Sequence, residues 1–319
     1  MTPPRPIVIA GLPRSGTTWT MRALGSMPGS VRIPEPDNED KYPPAIHAKH
    51  KLGRYPCLVP GQQARAYRKL WAWILSGTAE HWRSLQARRV LGPGAADRIF
   101  EGRMDVTTWA AATLSRNPRP GPGASGPVVV KSIHAQLSLE WIAEEFDITP
   151  LVLLRHPANV LASWMEVQLK DGRNSTLEMR PEVRTRYADR WQVPPPGDDP
   201  IEKMSWRIGL LIAALEEALV RHPEWHVRTH EQLCTDSVAT FRTLFADLGL
   251  EWGDASEKFL IDNDTPGEGF ETRRVAAEQS GSWQRRLDDA QLATLRRTLS
   301  RFPIATWSEA DFERTAPSD

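Results

Sequence analysis

The segment Gly11-Leu-Pro-Arg-Ser-Gly-Thr-Thr-Trp19 concentrates groups able to hold an anion. Its two glycines let successive backbone N–H groups turn toward one point. The segment also runs into a helix whose first N–H groups lack intrahelical partners. The chemistry this predicts is a phosphate cradle. In the nucleotide triphosphatase loop, a lysine follows the second glycine, reaches the β/γ-phosphates and precedes a Mg²⁺-binding hydroxyl. Here Thr17 follows Gly16, and the loop's cation is Arg14, with the hydroxyls of Ser15, Thr17 and Thr18 near it in sequence. The pattern points to a phosphate ligand other than ATP·Mg²⁺. The plainer reading of the same residues is a tightly packed strand–helix turn.

A second anion site is suggested by Leu151-Val-Leu-Leu-Arg155-His-Pro-Ala-Asn-Val-Leu-Ala-Ser163, which puts an arginine at a strand's end and a serine two helical turns later. Both can face one phosphate, and guanidinium groups pair well with phosphate oxygens. Taken alone, the pair is as well explained by a salt bridge and a surface hydroxyl. Titratable residues also gather at two other strand ends: Lys131 with His134 after Val128–Val130, and Glu35 in Val31-Arg-Ile-Pro-Glu-Pro-Asp37.

In this order, these residues resemble those of the sulfotransferases that use 3′-phosphoadenosine 5′-phosphosulfate (PAPS). Pro13-Arg-Ser-Gly-Thr-Thr-Trp19 is similar to that family's 5′-phosphosulfate loop, and Arg155 with Ser163 is similar to its 3′-phosphate motif. The resemblance implies that Arg14, Ser15, Gly16, Thr17 and Thr18 hold the phosphosulfate and that Trp19 lies against the adenine. It implies that Arg155 and Ser163 take the 3′-phosphate, and that the product is PAP. Val227-Arg-Thr-His-Glu-Gln-Leu233 resembles the family's Tyr-Glu-Asp-Leu strand end, with His230 where tyrosine is common at the adenine. Thr272-Arg-Arg-Val…Ser280-Gly-Ser-Trp283 resembles the Arg-Lys-Gly…Gly-Asp-Trp-Lys element that closes on the 3′-phosphate. Arg273 or Arg274 would make that contact, although the glycine that usually follows is missing.

Sulfuryl transfer needs an acceptor oxygen in line with sulfur, a base for its proton, and cations over the leaving phosphate. Arg14 and Lys131 suit the last role. Two residues compete for the base. The family's cytosolic branch carries Lys-Thr-His where this chain has Lys131-Ser-Ile-His134, one residue longer. In the tyrosylprotein and several bacterial branches, a glutamate at a distance past the loop similar to that of Glu35 serves instead. Glu35 is the favoured base and His134 its rival. Each also has a plain reading, Glu35 as the partner of a surface arginine and His134 as a hydrogen-bonded strand end.

The elements that must position these groups follow from periodicity. The apolar run Ile7–Ala10 reads as a buried strand and Thr17–Leu24 as a helix. Further buried strands are expected at Val128–Val130 and Leu151–Leu154, followed by amphipathic segments Leu137–Phe146 and Ala158–Leu169. A fourth strand is expected at Trp225–Thr229, between helices Ile201–Val220 and Val238–Leu248. Alternation of this kind predicts an α/β fold, a parallel sheet flanked by helices in a single domain over 1–319, P-loop-like in design. Within it, about 38–116 would form a helical cap insertion on the acceptor side. The insertion, with Trp71, Trp73, Trp82 and Trp109, caps the active site, or its rings simply fill a core.

The 40 basic and 40 acidic residues cancel, so nothing global favours nucleic acid or an anionic membrane. With no apolar stretch near twenty residues and no signal-like leader, a cytoplasmic protein without a transmembrane segment is expected. Cys57 and Cys234 have no zinc spacing, and no metal is expected. The function predicted is PAPS-dependent sulfotransfer to a small acceptor: a natural product, sugar, lipid or phenol. The alternatives are a P-loop ATP-dependent kinase, which the missing loop lysine disfavours, and a non-catalytic nucleotide-binding module. The second is disfavoured by polar candidates at strand ends, where open α/β sheets place ligand chemistry.

Overall fold

A computed structural model of the 319-residue chain describes residues 4–39, 42–77, 126–167, 177–265 and 279–314. Five strands, β1 (Ile7–Gly11), β2 (Val31–Pro34), β3 (Val128–Ser132), β4 (Thr149–Leu154) and β5 (His226–Thr229), make one parallel sheet in the order β2-β3-β1-β4-β5. β1 is a continuous run of β-branched and small apolar residues and β3 begins with three valines before Lys131 and Ser132, and both strands are buried at every position. Sequences of that kind suit strands covered on both faces. The α/β reading therefore holds, and each expected strand and helix exists, with ends moved by at most three residues where they are described.

The chain divides into two compact units. One comprises Met1–Gly11, Thr17–Val152 and Arg242–Leu260, the other Leu12–Gly16, Leu153–Phe241 and Ile261–Asp319. In the first, β3 is flanked by β1 and β2 in parallel register, with Ala10 opposite Ser132 and Pro34 opposite Lys131. The carboxyl ends of these strands are level, which is what brings Glu35, Lys131 and Ser132 together. Around them pack α1 (Thr17–Leu24), α2 (Pro43–Lys49), α3 (Arg65–Leu75) and α4 (Leu139–Glu145). The core here holds Val8, Ile9, Ile33, Val130, Trp71 and Trp141. Trp71 and Trp73 on α3 are both buried, whereas Trp82, Trp109 and most of the expected cap lie outside the described residues.

The second unit is built on α5 (Pro157–Glu166), α6 (Pro200–Arg221), α7 (His230–Thr235) and α10 (Asp289–Leu299), while α8 (Ser237–Asp247) runs from the second unit into the first and α9 (Asp254–Asn263) lies mostly in the first. Long α6 starts at Pro200, after the Asp199 cap, whose carboxylate accepts from the Ile201 N–H. Its face with Trp206, Leu210 and Leu211 is buried. Among the described residues, no helix is long and apolar enough to cross a membrane.

Candidate active site

In the second unit, the loop Leu12–Gly16 is closed by its own backbone, Ser15 N–H donating to Leu12 O at 3.1 Å. The Ser15 hydroxyl donates to the same oxygen at 2.6 Å, so this side chain shapes the loop from within. Arg14 and Gly16 take left-handed conformations, with φ of 72° and 84°. For glycine that is free of strain, whereas for arginine it costs about 1 kcal/mol and must be held in place by neighbours. Three neighbours do so. Arg155 Nη1 donates to Arg14 O at 2.6 Å, Arg14 Nε donates to Ser163 Oγ at 2.9 Å, and Trp164 Nε1 donates to Pro13 O at 2.9 Å. The two expected anion motifs thus meet around Arg14. Arg155 stands where β4 ends and Ser163 on α5, two turns on.

Burial makes this cluster electrostatically uneven. The Arg155 guanidinium is pushed down to about 10 by desolvation, opposed by the nearby Glu231 carboxylate and reinforced by Arg14 and Arg286. It stays charged at neutral pH. Among the described residues its Nε has no hydrogen-bond partner. Glu231 is itself raised by burial and accepts from the His156 N–H at 3.1 Å and from Asn159 Nδ2 at 3.2 Å. Two guanidinium groups, Arg14 on the loop and Arg155 bonded to it from the end of β4, with a buried unsatisfied N–H on Arg155, are surroundings an anion would complete.

His230, the first residue of α7, was expected at the adenine. The structure places its ring against the phosphate loop, so close to Gly16 that a Cβ there would lie 2.1 Å from His230 Cδ2. Burial, with Arg155 nearby, holds its imidazole well below the usual range, hence neutral.

Sequence reasoning passed over Asn159. From the first turn of α5 it donates to Ser280 O at 2.8 Å and accepts from Ser282 Oγ and the Trp283 N–H at 3.0 and 3.1 Å. It fastens the segment around Trp283 to the Arg155 motif. His156 adds a stacked contact with Trp283, ring centroids 5.6 Å apart. Asn159 lies inside the Arg155…Ser163 segment, but its spacing from Arg155 gave no signal because the helix begins only at Pro157. Arg273 and Arg274, also expected at this phosphate, lie outside the described residues.

In the first unit, β2 ends in a turn, with Asn38 N–H donating to Glu35 O at 3.0 Å and Pro36 at the turn position its fixed φ suits. Glu35 has a left-handed φ of 52° and is held by its own N–H, which extends the ladder to Lys131 O at 2.7 Å. Its carboxylate is mostly buried and pairs with the Lys131 ammonium while accepting from Asn38 Nδ2 at 2.8 Å. Lys131 also donates to Thr18 Oγ1 at 2.8 Å. A carboxylate, an ammonium and the second hydroxyl after the phosphate loop therefore form one cluster. Thr17 is buried and Trp19 half-buried on α1.

The structure takes His134 elsewhere. Its ring is fully buried, with Nδ1 3.2 Å from Lys49 Nζ and 3.6 Å from Glu39 Oε2, and it meets Tyr55 edge-on.

The sulfotransferase family model matches residues 6–254. No curated protein matches the chain. Among solved structures it is similar to the sulfotransferase domain from the curacin biosynthetic pathway, at 13% identity and TM-score 0.46, covering 95% of this chain and 99% of that one. It is also similar to the sulfotransferase domain from the Synechococcus PCC 7002 olefin synthase, at 14% identity and TM-score 0.45, covering 94% of this chain and 95% of that one. A third is sulfotransferase STF9 from Mycobacterium avium, at 13% identity and TM-score 0.43, covering 96% and 78%.

Proposed function

The chain belongs to the sulfotransferase family, and from that premise we propose that it moves a sulfuryl group from PAPS to a hydroxyl, or similar nucleophile, of a small acceptor in the cytoplasm. The observation that supports the choice of donor is the convergence of Arg155 and Ser163 on Arg14, which brings residues of both expected anion motifs together. PAPS carries a phosphosulfate and a separate 3′-phosphate, and so offers two anions.

In this reading, Arg14, the backbone N–H groups to Gly16, and Thr17 and Thr18 hold the phosphosulfate, while Arg155 and Ser163 hold the 3′-phosphate. Glu35 takes the acceptor proton as the acceptor oxygen forms its bond to sulfur and the bond from sulfur to the phosphate oxygen breaks. Lys131 and Arg14 stabilise the charge that collects on the departing phosphate. Asn38 and Lys131 orient the Glu35 carboxylate. Trp19, half-buried beside the loop in sequence, is the adenine contact.

The test is incubation with radiolabelled PAPS and a panel of phenols, sugars, lipids and hydroxylated natural products. Label in an acceptor is the expected result. Phosphoryl transfer from ATP·Mg²⁺ to the same panel, without sulfuryl transfer, would replace this reading with a kinase.

A further inference from the structure

Lys49, the last residue of α2, is fully buried, and all three of its ammonium donors have acceptors at hand. Nζ lies 2.8 Å from Asp37 O, 2.7 Å from Glu39 Oε2 and 3.2 Å from His134 Nδ1. The first two belong to the turn that carries Glu35 away from β2. The third belongs to the segment that leaves β3 after Lys131. Ser132 ties the same two segments from the other side: its hydroxyl donates to Asp37 Oδ2 at 2.7 Å and accepts from the His134 and Ala135 N–H groups at 3.1 and 3.0 Å. Glu39 is further held by Arg54, Nε to Oε1 at 2.9 Å.

A buried ammonium is a costly way to join two loops, because desolvating it is repaid only by near-complete hydrogen bonding. Here the bonding is complete, and it fixes the separation between the ends of β2 and β3. Those ends carry the Glu35 carboxylate and the Lys131 ammonium. Glu35 also needs outside support, since its left-handed φ is unfavourable for a residue with a Cβ.

The geometry points to Lys49 as a positioning residue of the transfer reaction, holding the Glu35 turn against the end of β3 so that carboxylate and ammonium keep their mutual placement. This inference rests on Glu35 being the base in the reading above. Lys49 touches neither substrate. It acts through the carbonyl of Asp37, the carboxylate of Glu39 and the ring of His134. A displacement of about 1 Å at the reacting groups can lower a rate about a hundredfold, so loosening this joint should appear in kcat.

The experiment compares the wild type with Lys49→Met and with the double variant Glu39→Gln/Lys49→Met, in which the buried Glu39 carboxylate is removed together with its ammonium partner. The double variant is expected to melt cooperatively, to keep the rise in Tm that PAP gives the wild type, and to keep its donor KM within about twofold. Its kcat should fall about tenfold or more. A folded double variant with wild-type kcat would overturn the inference while leaving sulfotransfer by the wild type intact. Parallel losses in Tm, donor KM and kcat, or failure of both variants to fold, would make Lys49 a residue of the fold alone and overturn it as well. A wild type that transfers no sulfuryl group would overturn the underlying reading instead.

Discussion

Arg155 Nη1 donates to the main-chain oxygen of Arg14 at 2.6 Å, so the arginine expected to bind one phosphate also braces the loop expected to bind the other. Removing it should act twice, through a lost charge-assisted bond and through a loop residue left in a strained conformation. Arg155→Ala should raise donor KM about ten- to a hundredfold, equivalent to roughly 1.5–3 kcal/mol, in a protein that still folds. Initial-rate kinetics over a range of PAPS check this. Unchanged donor affinity in a protein that no longer melts cooperatively would make Arg155 a structural residue only.

Ligand choice can be tested without any acceptor. A ligand raises Tm only by binding the native state, so PAP, which carries both anions, should shift the melting transition markedly. ATP with Mg²⁺, which lacks the 3′-phosphate and would find no lysine after Gly16, should shift it little. A larger shift with ATP·Mg²⁺ would contradict the donor assignment.

Gly16 is required for two separable reasons, its φ of 84° and the His230 ring that fills the space a Cβ would take. Gly16→Ala should therefore destabilise the protein by about 2–4 kcal/mol, summing a left-handed backbone penalty and an overpacking cost. Adding His230→Ala should relieve the second part only. In a double-mutant cycle by urea denaturation, the coupling should be favourable and about 1–2 kcal/mol. Additive losses would show that the ring does not press on the loop.

The strands were legible because runs of β-branched residues leave a strong local pattern, and the strand–loop–helix unit around Arg14 was legible from its glycines. Lys131 was placed correctly at a strand end for the same reason. What stayed closed was the direction of side chains just past a strand. Glu35 and His134 both follow strand ends, and only the parallel register and the turn at Asn38 show that one meets Lys131 and the other meets Lys49. Lys49 had no signal at all, since a lysine ending a seven-residue helix normally reads as solvated, and its burial depends on Glu39, ten residues away, and His134, 85 away. The contact between the His230 ring and Gly16 was not legible either, because a strand-end motif does not say which way its ring faces.

Two buried groups give the acid stability profile opposing slopes. Burial lowers His156 from 6.5 to about 4. Between those values the unfolded chain binds a proton the native protein does not, so this contribution to stability rises with pH. Burial raises Asp37 from 3.8 to about 6. Between those values the native protein keeps a proton the unfolded chain has lost, so its contribution falls as pH rises. Each effect is bounded at about 3 kcal/mol across its window. Comparing urea denaturation near pH 4.5 and pH 7, His156→Phe should lose less stability on acidification than the wild type. Asp37→Asn should lose more. The same acid response in all three proteins would show that neither group titrates abnormally.

The choice between Glu35 and His134 as base turns on what each touches. The Glu35 carboxylate shares the Lys131 ammonium with the cluster that includes Thr18, next but one to Gly16 in the loop. His134 is buried, its Nδ1 against Lys49 and its ring against Tyr55, which is why Glu35 is the base proposed. Removing a general base costs about 10²–10⁴ in rate, whereas a residue that only positions the acceptor acts largely through KM. Glu35→Gln keeps size and the hydrogen bond from Asn38 but cannot accept a proton, and it should lower kcat by about a hundredfold or more with PAP still raising Tm. His134→Asn keeps an acceptor for Lys49 and should be milder, its loss confined to what a slackened joint transmits to Glu35. The pair separates the roles because both substitutions spare the Arg14, Arg155 and Ser163 cluster. Near-normal kcat for Glu35→Gln beside a folded, PAP-binding but inactive His134→Asn would reverse the assignment and require His134 to leave the pocket in which it is buried.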